Sequence, residues 1–314
     1  MALLAGIRAV TGEVPFVGCS TAGEIATGGP GDAGVVVTCL GGPGFSVRTT
    51  CARDASRDLR AAGATAARGV AGLEPRPHRV LLLLSDGLAG DQQEVVRGAH
   101  SVAGGGVPLV GGCAGDDLKM TRTFQFYDGA VVHDAVVAAA IGSDAPIGLG
   151  VRHGWRAVGE PMLVTASDGN RVHELDGRPA LDVYLARLSA PLEAHEDPAA
   201  FTRFALTHPL GLSARGREQQ VRFVGEADFD TRSLGCIAAV PQNGLVWLME
   251  GDDASVLEAT DAACADALAP LGVHAPLGLL AFDCIARRGV LGEDGIRREV
   301  GRVAQRAGGA PVAG

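Results

Sequence analysis

A chain of 314 residues is longer than one hydrophobic core usually serves, so two domains are expected. With 47% apolar and 20% charged residues it is globular rather than disordered, and it can build a sizeable core, mostly of Ala, Val and Leu. A formal charge of -9 and only 4% aromatic residues argue against nucleic acid as a partner, because phosphate backbones need basic surface and bases need stacking platforms. No apolar run approaches the roughly eighteen residues of a membrane span, so membrane insertion is not expected; the longest candidate, Ala135 to Gly142, is strand-sized. No signal peptide is visible at Met1, and seven cysteines without a C-x-x-C pair fit a reducing cytoplasm better than a disulfide framework.

In chain order, Leu3 to Val10 reads as the end of a helix, and VPFVG at Val14 to Gly18 as a strand. The loop Cys19-Ser20-Thr21-Ala22-Gly23-Glu24 follows. Gly34 to Leu40 and Gly44 to Thr50 flank a glycine and proline turn and predict a hairpin. Val80 to Ser85 is a buried strand, Gln92 to Ala103 has helical spacing, and VPLVG at Val107 to Gly111 is the next strand, ending in Gly112-Cys113-Ala114-Gly115-Asp116-Asp117. Arg122 to Tyr127 and Ala130 to Ile141 predict a second hairpin at Asp128-Gly129. Ser143 to Gly159 is rich in Gly and Pro and is the expected link between domains, with the boundary near residue 165.

Beyond the link, Pro179 to Leu188 predicts a short helix. Val221 to Phe223, Ser233 to Ala239 and Leu245 to Met249 predict strands, with Pro241-Gln242-Asn243-Gly244 as a turn before the last. Ala254 to Leu268 has helical spacing behind the capping stretch Gly251-Asp252-Asp253. Leu277 to Cys284 reads as a strand, Ile285 to Asp294 as a loop and Gly295 to Arg306 as a helix. The sequence then stops at APVAG, Ala310 to Gly314.

One phrase is therefore written three times, each time as a strand ending in glycine. Helical crossovers between such strands imply parallel pairing, while the hairpins imply antiparallel pairing. The expected fold is α+β, with two domains of mixed sheets flanked by helices, spanning residues 1–165 and 166–314. The first copy has no strand ahead of its helix and the third has no loop after its glycine, so the chain is expected to be clipped at both ends.

These stretches have a family likeness. GCSTAGEI at Gly18 to Ile25, GGCAGDD at Gly111 to Asp117 with FQFYDG downstream, ELDGRPALDVY at Glu174 to Tyr184, HPLGL at His208 to Leu212 and FDCIARRGVLG at Phe282 to Gly292 together resemble the FIST family. The resemblance covers essentially the whole chain, as an N-terminal followed by a C-terminal FIST domain. It implies a cytoplasmic sensory module of the kind found in bacterial signal-transduction proteins, with a small ligand, amino acids having been proposed, and a separate output protein. Family members usually carry a strand and helix ahead of the first motif and a further loop and strands after the third phrase, which this sequence lacks.

The loops carry suitable chemistry for such a ligand. Ser20 and Thr21 hydroxyls and glycine-freed amides can donate to a carboxylate, and Glu24, Asp116 and Asp117 can accept from an ammonium group. Ligands of open α/β sheets bind outside the carboxyl ends of parallel strands, where these loops are expected. Arg287 and Arg288, in the expected loop after the third strand, offer a bidentate clamp for a carboxylate. The candidate ligand-binding residues are thus Cys19, Ser20, Thr21, Glu24, Cys113, Asp116, Asp117, Arg287 and Arg288.

Simpler readings stand beside these. Thr21 and Glu24 have capping-box spacing for one helical turn before Gly28. Cys19 and Cys113 fit small buried hydrophobes at strand ends. Asp116-Asp117 fits a turn cap, and Arg287-Arg288 a solvated pair. No metal is expected, since a carboxylate dyad alone is weak and no HExxH occurs; no Walker, Rossmann or G-x-S-x-G phrase calls for a cofactor or a serine nucleophile. A cysteine-dependent enzyme and a protein-interaction adaptor are the alternatives to a ligand sensor.

Overall fold

The run Ala135–Ser143 is apolar at nearly every position and buried on both faces, which makes it a central strand rather than half of a solvent-facing hairpin. The computed structural model describes residues 2–31, 33–117, 119–213 and 220–314. In it, Ala135–Ser143 pairs antiparallel with Phe45–Arg53 on one side and with His78–Asp86 on the other. His78–Asp86 pairs parallel with Leu109–Ala114, giving a mixed four-stranded sheet. The hairpin expected between Gly34 to Leu40 and Gly44 to Thr50 does not form. Only its second half is a strand, and Val35 and Val37 stay exposed. A fully buried partner offering a nine-residue register outcompetes the local turn.

The second expected hairpin does form. Asp128 and Gly129 sit at φ 44° and 81°, and they join Gln125–Tyr127 to Ala130–Val132. Val17–Cys19 adds to Gln125–Tyr127 to complete a three-stranded sheet. A further four-stranded sheet orders Leu279–Leu280, Val312–Ala313, Glu24–Ala26 and Gly29–Gly31. All three sheets belong to one compact unit, made of residues 1–150, 263–282 and 300–314. Its helices include Ala2–Thr11, Leu59–Ala66 and Gln92–Ala103.

The other unit comprises residues 151–262 and 283–299. Its strands form one sheet, ordered Gln220–Arg222, Leu210–Leu212, Leu245–Glu250, Arg156–Asp168, Arg171–Leu175, Ser233–Cys236 and Val224–Asp228, with Arg178–Pro179 paired to Arg171–Leu175. Ser233–Cys236 and Leu245–Glu250 follow each other through the Pro241 to Gly244 turn but pair with different strands. Tyr184 and Phe201, both fully buried, anchor the helices Ala180–Arg187 and Pro198–Ala205 in a core with Met162, Leu175, Leu210 and Leu234. The Tyr184 hydroxyl donates to the His208 carbonyl at 2.6 Å, which satisfies the one polar atom this ring buries. A boundary near residue 165 falls inside the strand Arg156–Asp168, whose thirteen residues pair with two neighbours.

The loop expected at Ile285 to Asp294 is helical, part of Ile285–Arg306, which is broken at Gly292 (φ 59°). Ala286, Val290 and Leu291 fall on one face and pack among apolar neighbours, a helical pattern that outweighs Gly289 and Gly292. Asp253–Leu268 begins as expected, with Asp252 Oδ1 accepting the Ser255 amide at 2.7 Å. Among the described residues no helix is long and apolar enough to cross a membrane.

Close approach of two helices defines one packing constraint. A methyl group on Gly63, in Leu59–Ala66, would collide with the Val95 carbonyl, and one on Gly98, in Gln92–Ala103, with the Arg60 carbonyl. Gly63→Ala should therefore destabilise the protein by about 2–3 kcal/mol in chemical denaturation, as overpacking does. Gly6→Ala, where the added methyl meets nothing within 4 Å, should not. Equal stability of the two variants would contradict this packing.

Candidate functional site

The first and second glycine loops meet at Ser20. Its amide donates to the Phe124 carbonyl at 2.8 Å and its carbonyl accepts the Gly115 amide at 2.8 Å. Its hydroxyl donates to the Gly115 carbonyl at 2.8 Å and accepts the Phe124 amide at 3.0 Å. One serine thus binds the loop after the strand Leu109–Ala114 and extends the register of the three-stranded sheet. Gly115 has to be glycine here, because a Cβ would lie 2.9 Å from the Ala22 amide nitrogen.

The third phrase joins the same stretch of chain. The Ile25 amide donates to the Gly314 carbonyl at 2.8 Å, and the Gly314 amide to the Ile25 carbonyl at 2.9 Å. Val312–Ala313 runs parallel to Leu279–Leu280 and antiparallel to Glu24–Ala26. The Val312 amide also donates to Thr27 Oγ1 at 2.8 Å. All three copies of the phrase therefore converge on residues 20–27 within one unit.

The helical turn expected from Thr21 to Gly28 is absent, because Glu24–Ala26 is a strand whose backbone is claimed by Gly29–Gly31 and by Gly314. Thr21 and Glu24 still interact: Thr21 Oγ1 donates to Glu24 Oε1 at 2.9 Å, while Glu24 Oε2 accepts the Gly34 amide at 2.8 Å. Asp116 serves its own turn. It accepts the amides of Met120 at 3.1 Å, Thr121 at 2.7 Å and Arg122 at 3.1 Å. Burial works against ionisation of Asp116, but these three donors together outweigh it and hold the carboxyl below its ordinary range. Asp117, with φ 58°, is exposed and pairs with Lys119 at 3.1 Å.

The two cysteines differ. Cys19 ends the strand Val17–Cys19 and is half-buried; burial first, and the neighbouring Cys113 second, push its thiol up to about 11. Cys113 is exposed rather than buried, and the Ser85 hydroxyl lies 3.6 Å from its sulfur. Its strand, Leu109–Ala114, lies at the edge of its sheet.

Arg287 and Arg288 belong to the other unit. Arg287 is only 6% exposed. Its Nη1 donates to the His153 carbonyl at 3.1 Å, and its Nη2 faces the Val256 carbonyl at 3.1 Å, Thr260 Oγ1 at 2.7 Å and the Glu299 carboxylate. Its Nε lies 2.7 Å from Asp283 Oδ1. Arg288 binds Glu293 through Nε at 2.9 Å. The first of these guanidinium groups is thus committed to internal partners rather than displayed in a loop.

Some contributors had little sequence signal. Phe124 enters only through its backbone. Gln125, fully buried opposite Cys19, donates to Thr123 Oγ1 at 3.0 Å and leaves its Oε1 without a partner among the described residues. A groove of about 520 Å³ in the same unit is lined by Cys51, Arg53, Arg57, Thr65 and Tyr127 among others, and by none of the expected site residues. Its lining joins one stretch of chain, Cys51 to Thr65, to Tyr127 of a hairpin distant in sequence, a pairing that no local motif could announce.

With this geometry in view, comparison with known proteins is informative. The family model for the FIST N domain matches residues 1–178, and that for the FIST C domain matches residues 180–314. The chain belongs to the FIST family. FIST domains are associated with sensory and signal-transduction functions. A FIST chain of this kind is also similar to an uncharacterized protein of Methanocaldococcus jannaschii, at 36% identity over 114 residues, 34% of this chain and 22% of that protein. The match thus spans only about a fifth of that relative's length. No solved structure matches.

The contrast between the thiols gives a chemical test. With its thiol pushed up to about 11, Cys19 should react with iodoacetamide at pH 7.5 at least roughly tenfold more slowly than exposed Cys39 and Cys113, because the thiolate is the nucleophile. Peptide mass spectrometry over time measures this. Modification of Cys19 ahead of Cys39 would contradict the burial assigned to it.

Proposed function

We propose that this chain senses a small ligand, an amino acid or a related metabolite, held by the glycine-rich loops of the first unit. The observation that supports this most is the convergence of all three repeated phrases on residues 20–27, through Ser20 with Gly115 and through Ile25 with Gly314. The amides of Ala22 and Gly23 have no acceptor among the described residues and can receive a carboxylate, while the Thr21 hydroxyl donates to Glu24. An ammonium group would fall to Glu24, each of whose oxygens accepts a single hydrogen bond, or to exposed Asp117, rather than to Asp116, whose two oxygens already hold three backbone amides. This reading does not need Arg287, whose donors are committed elsewhere. The signal then passes to a separate output protein.

Thiol catalysis finds less support. Cys19 is mostly un-ionised near neutral pH, and the Ser85 hydroxyl that lies 3.6 Å from the Cys113 sulfur is not a base. An adaptor acting without a small ligand is the remaining alternative, and one experiment separates it from a sensor. In a thermal-shift screen of the twenty amino acids and related metabolites, at least one compound should raise Tm in a saturable way; at a hundred times Kd the stabilisation is about 2.7 kcal/mol. Glu24→Gln should weaken that compound about tenfold, the scale of one charge-assisted hydrogen bond. A null result across the whole set would contradict the sensor and favour the adaptor.

A further inference from the structure

The second unit sets two carboxylates, one buried and one at the rim, against a single buried guanidinium. Arg287 lies between Asp283, whose Oδ1 is 2.7 Å from Nε, and Glu299, which binds Nη2. Thr260 Oγ1 donates to the same Glu299 oxygen. The side chains of Arg287 and Glu299 are only 8% and 7% exposed, while Asp283, at 25%, forms the rim. The groups facing this cluster come from every element around it. Arg287 and Glu299 belong to Ile285–Arg306, and the Thr260 hydroxyl and Val256 carbonyl to Asp253–Leu268. The His153 carbonyl comes from the segment before Arg156–Asp168, and the Cys284 amide and thiol sit beside Asp283. Among the described residues, Arg287 is the cation paired with both Asp283 and Glu299.

Two ionised carboxylates on one guanidinium would leave a net charge of about -1 on a cluster that water reaches only at its rim, a costly arrangement unless a proton or a movement relieves it. Carboxylates sharing a site cannot both ionise readily, and the proton they hold belongs to the pair. We propose that Asp283 and Glu299 share one proton on Arg287, and that loss of this proton to solvent releases Asp283 and the first turn of Ile285–Arg306 from the cluster, making the second unit responsive to pH. Glu299, held by both Thr260 and Arg287, stays and forms a neutral pair with Arg287. Asp283, at the rim, is the group that can leave.

The titration has the matching direction. Burial first, and the negative charge of Glu299 second, raise the Asp283 carboxyl to about 7, with Arg287 opposing. A carboxyl raised on folding means that the folded chain binds more protons than the unfolded one between the ordinary carboxylate range and about pH 7. Stability from this group is therefore complete at acid pH and declines as pH rises through that window.

Two measurements on the full chain test the proposal. Tm of the wild type should fall as pH rises from 5 to 8, and Asp283→Asn, which mimics the protonated state, should lose most of that slope. Carboxyl ¹³C NMR of the wild type should place the Asp283 midpoint near 7, and Glu299→Gln should lower it by at least about one pH unit. An Asp283 midpoint near 4 would overturn the shared proton, and an unchanged slope in a folded Asp283→Asn would overturn the release. If Asp283→Asn does not fold, the wild-type NMR midpoint decides the shared proton, and a wild-type Tm that does not fall from pH 5 to 8 overturns the release.

Discussion

Much of the first unit's architecture turns on the four hydrogen bonds of one serine. Ser20 uses its amide, carbonyl and hydroxyl to tie the first glycine loop to the second and to the start of the Phe124 strand. Each such bond contributes only about 0.5–1.5 kcal/mol net. Their placement matters more than their sum. Without them, two loops rich in glycine would have to be ordered at the full entropic cost of their backbones. The same stretch of chain then pairs with Gly314, so that three segments from opposite ends of the sequence share one junction.

Elements with a strong local pattern were legible from the residues alone. Gln92–Ala103 forms as its spacing predicts, Asp253–Leu268 starts behind its aspartates, and the Asp128-Gly129 turn is where the positive φ values occur. The α+β character with mixed sheets followed from crossovers set beside hairpins. Failures came where a distant partner decided the outcome. Gly34 to Leu40 looked like half of a hairpin, yet Phe45–Arg53 found a better partner ninety residues away in Ala135–Ser143. Thr21 to Glu24 had the spacing of a capping box, but strand pairing with Gly29–Gly31 and Gly314 took the backbone it required.

The site residues divide along the same line. Ser20, Thr21, Glu24, Cys113, Asp116 and Asp117 all lie in one unit, in or next to the glycine-rich strand ends that the repeated phrase marks in the sequence. Arg287 and Arg288 were assigned to that pocket through a loop that is instead a helix. Periodicity in Ala286, Val290 and Leu291 was the available signal, masked by two glycines in the same run. Buried charge explains what Arg287 does instead. A guanidinium this enclosed needs several acceptors at once, and Glu299, Thr260 and two carbonyls accept from its Nη atoms while Asp283 lies beside Nε as an ion-pair partner.

Hydrogen–deuterium exchange on Ser20→Ala tests the central junction most directly. Loss of the hydroxyl removes the acceptor of the Phe124 amide and the donor to the Gly115 carbonyl, while the Tyr184 and Phe201 core of the other unit keeps every contact. The account predicts that the Gly115 and Phe124 amides exchange at least roughly tenfold faster, a loosening of about 1.4 kcal/mol, and that amides in Arg156–Asp168 are unaffected. Unchanged protection at Gly115 and Phe124 would contradict the claim that Ser20 holds the loops together.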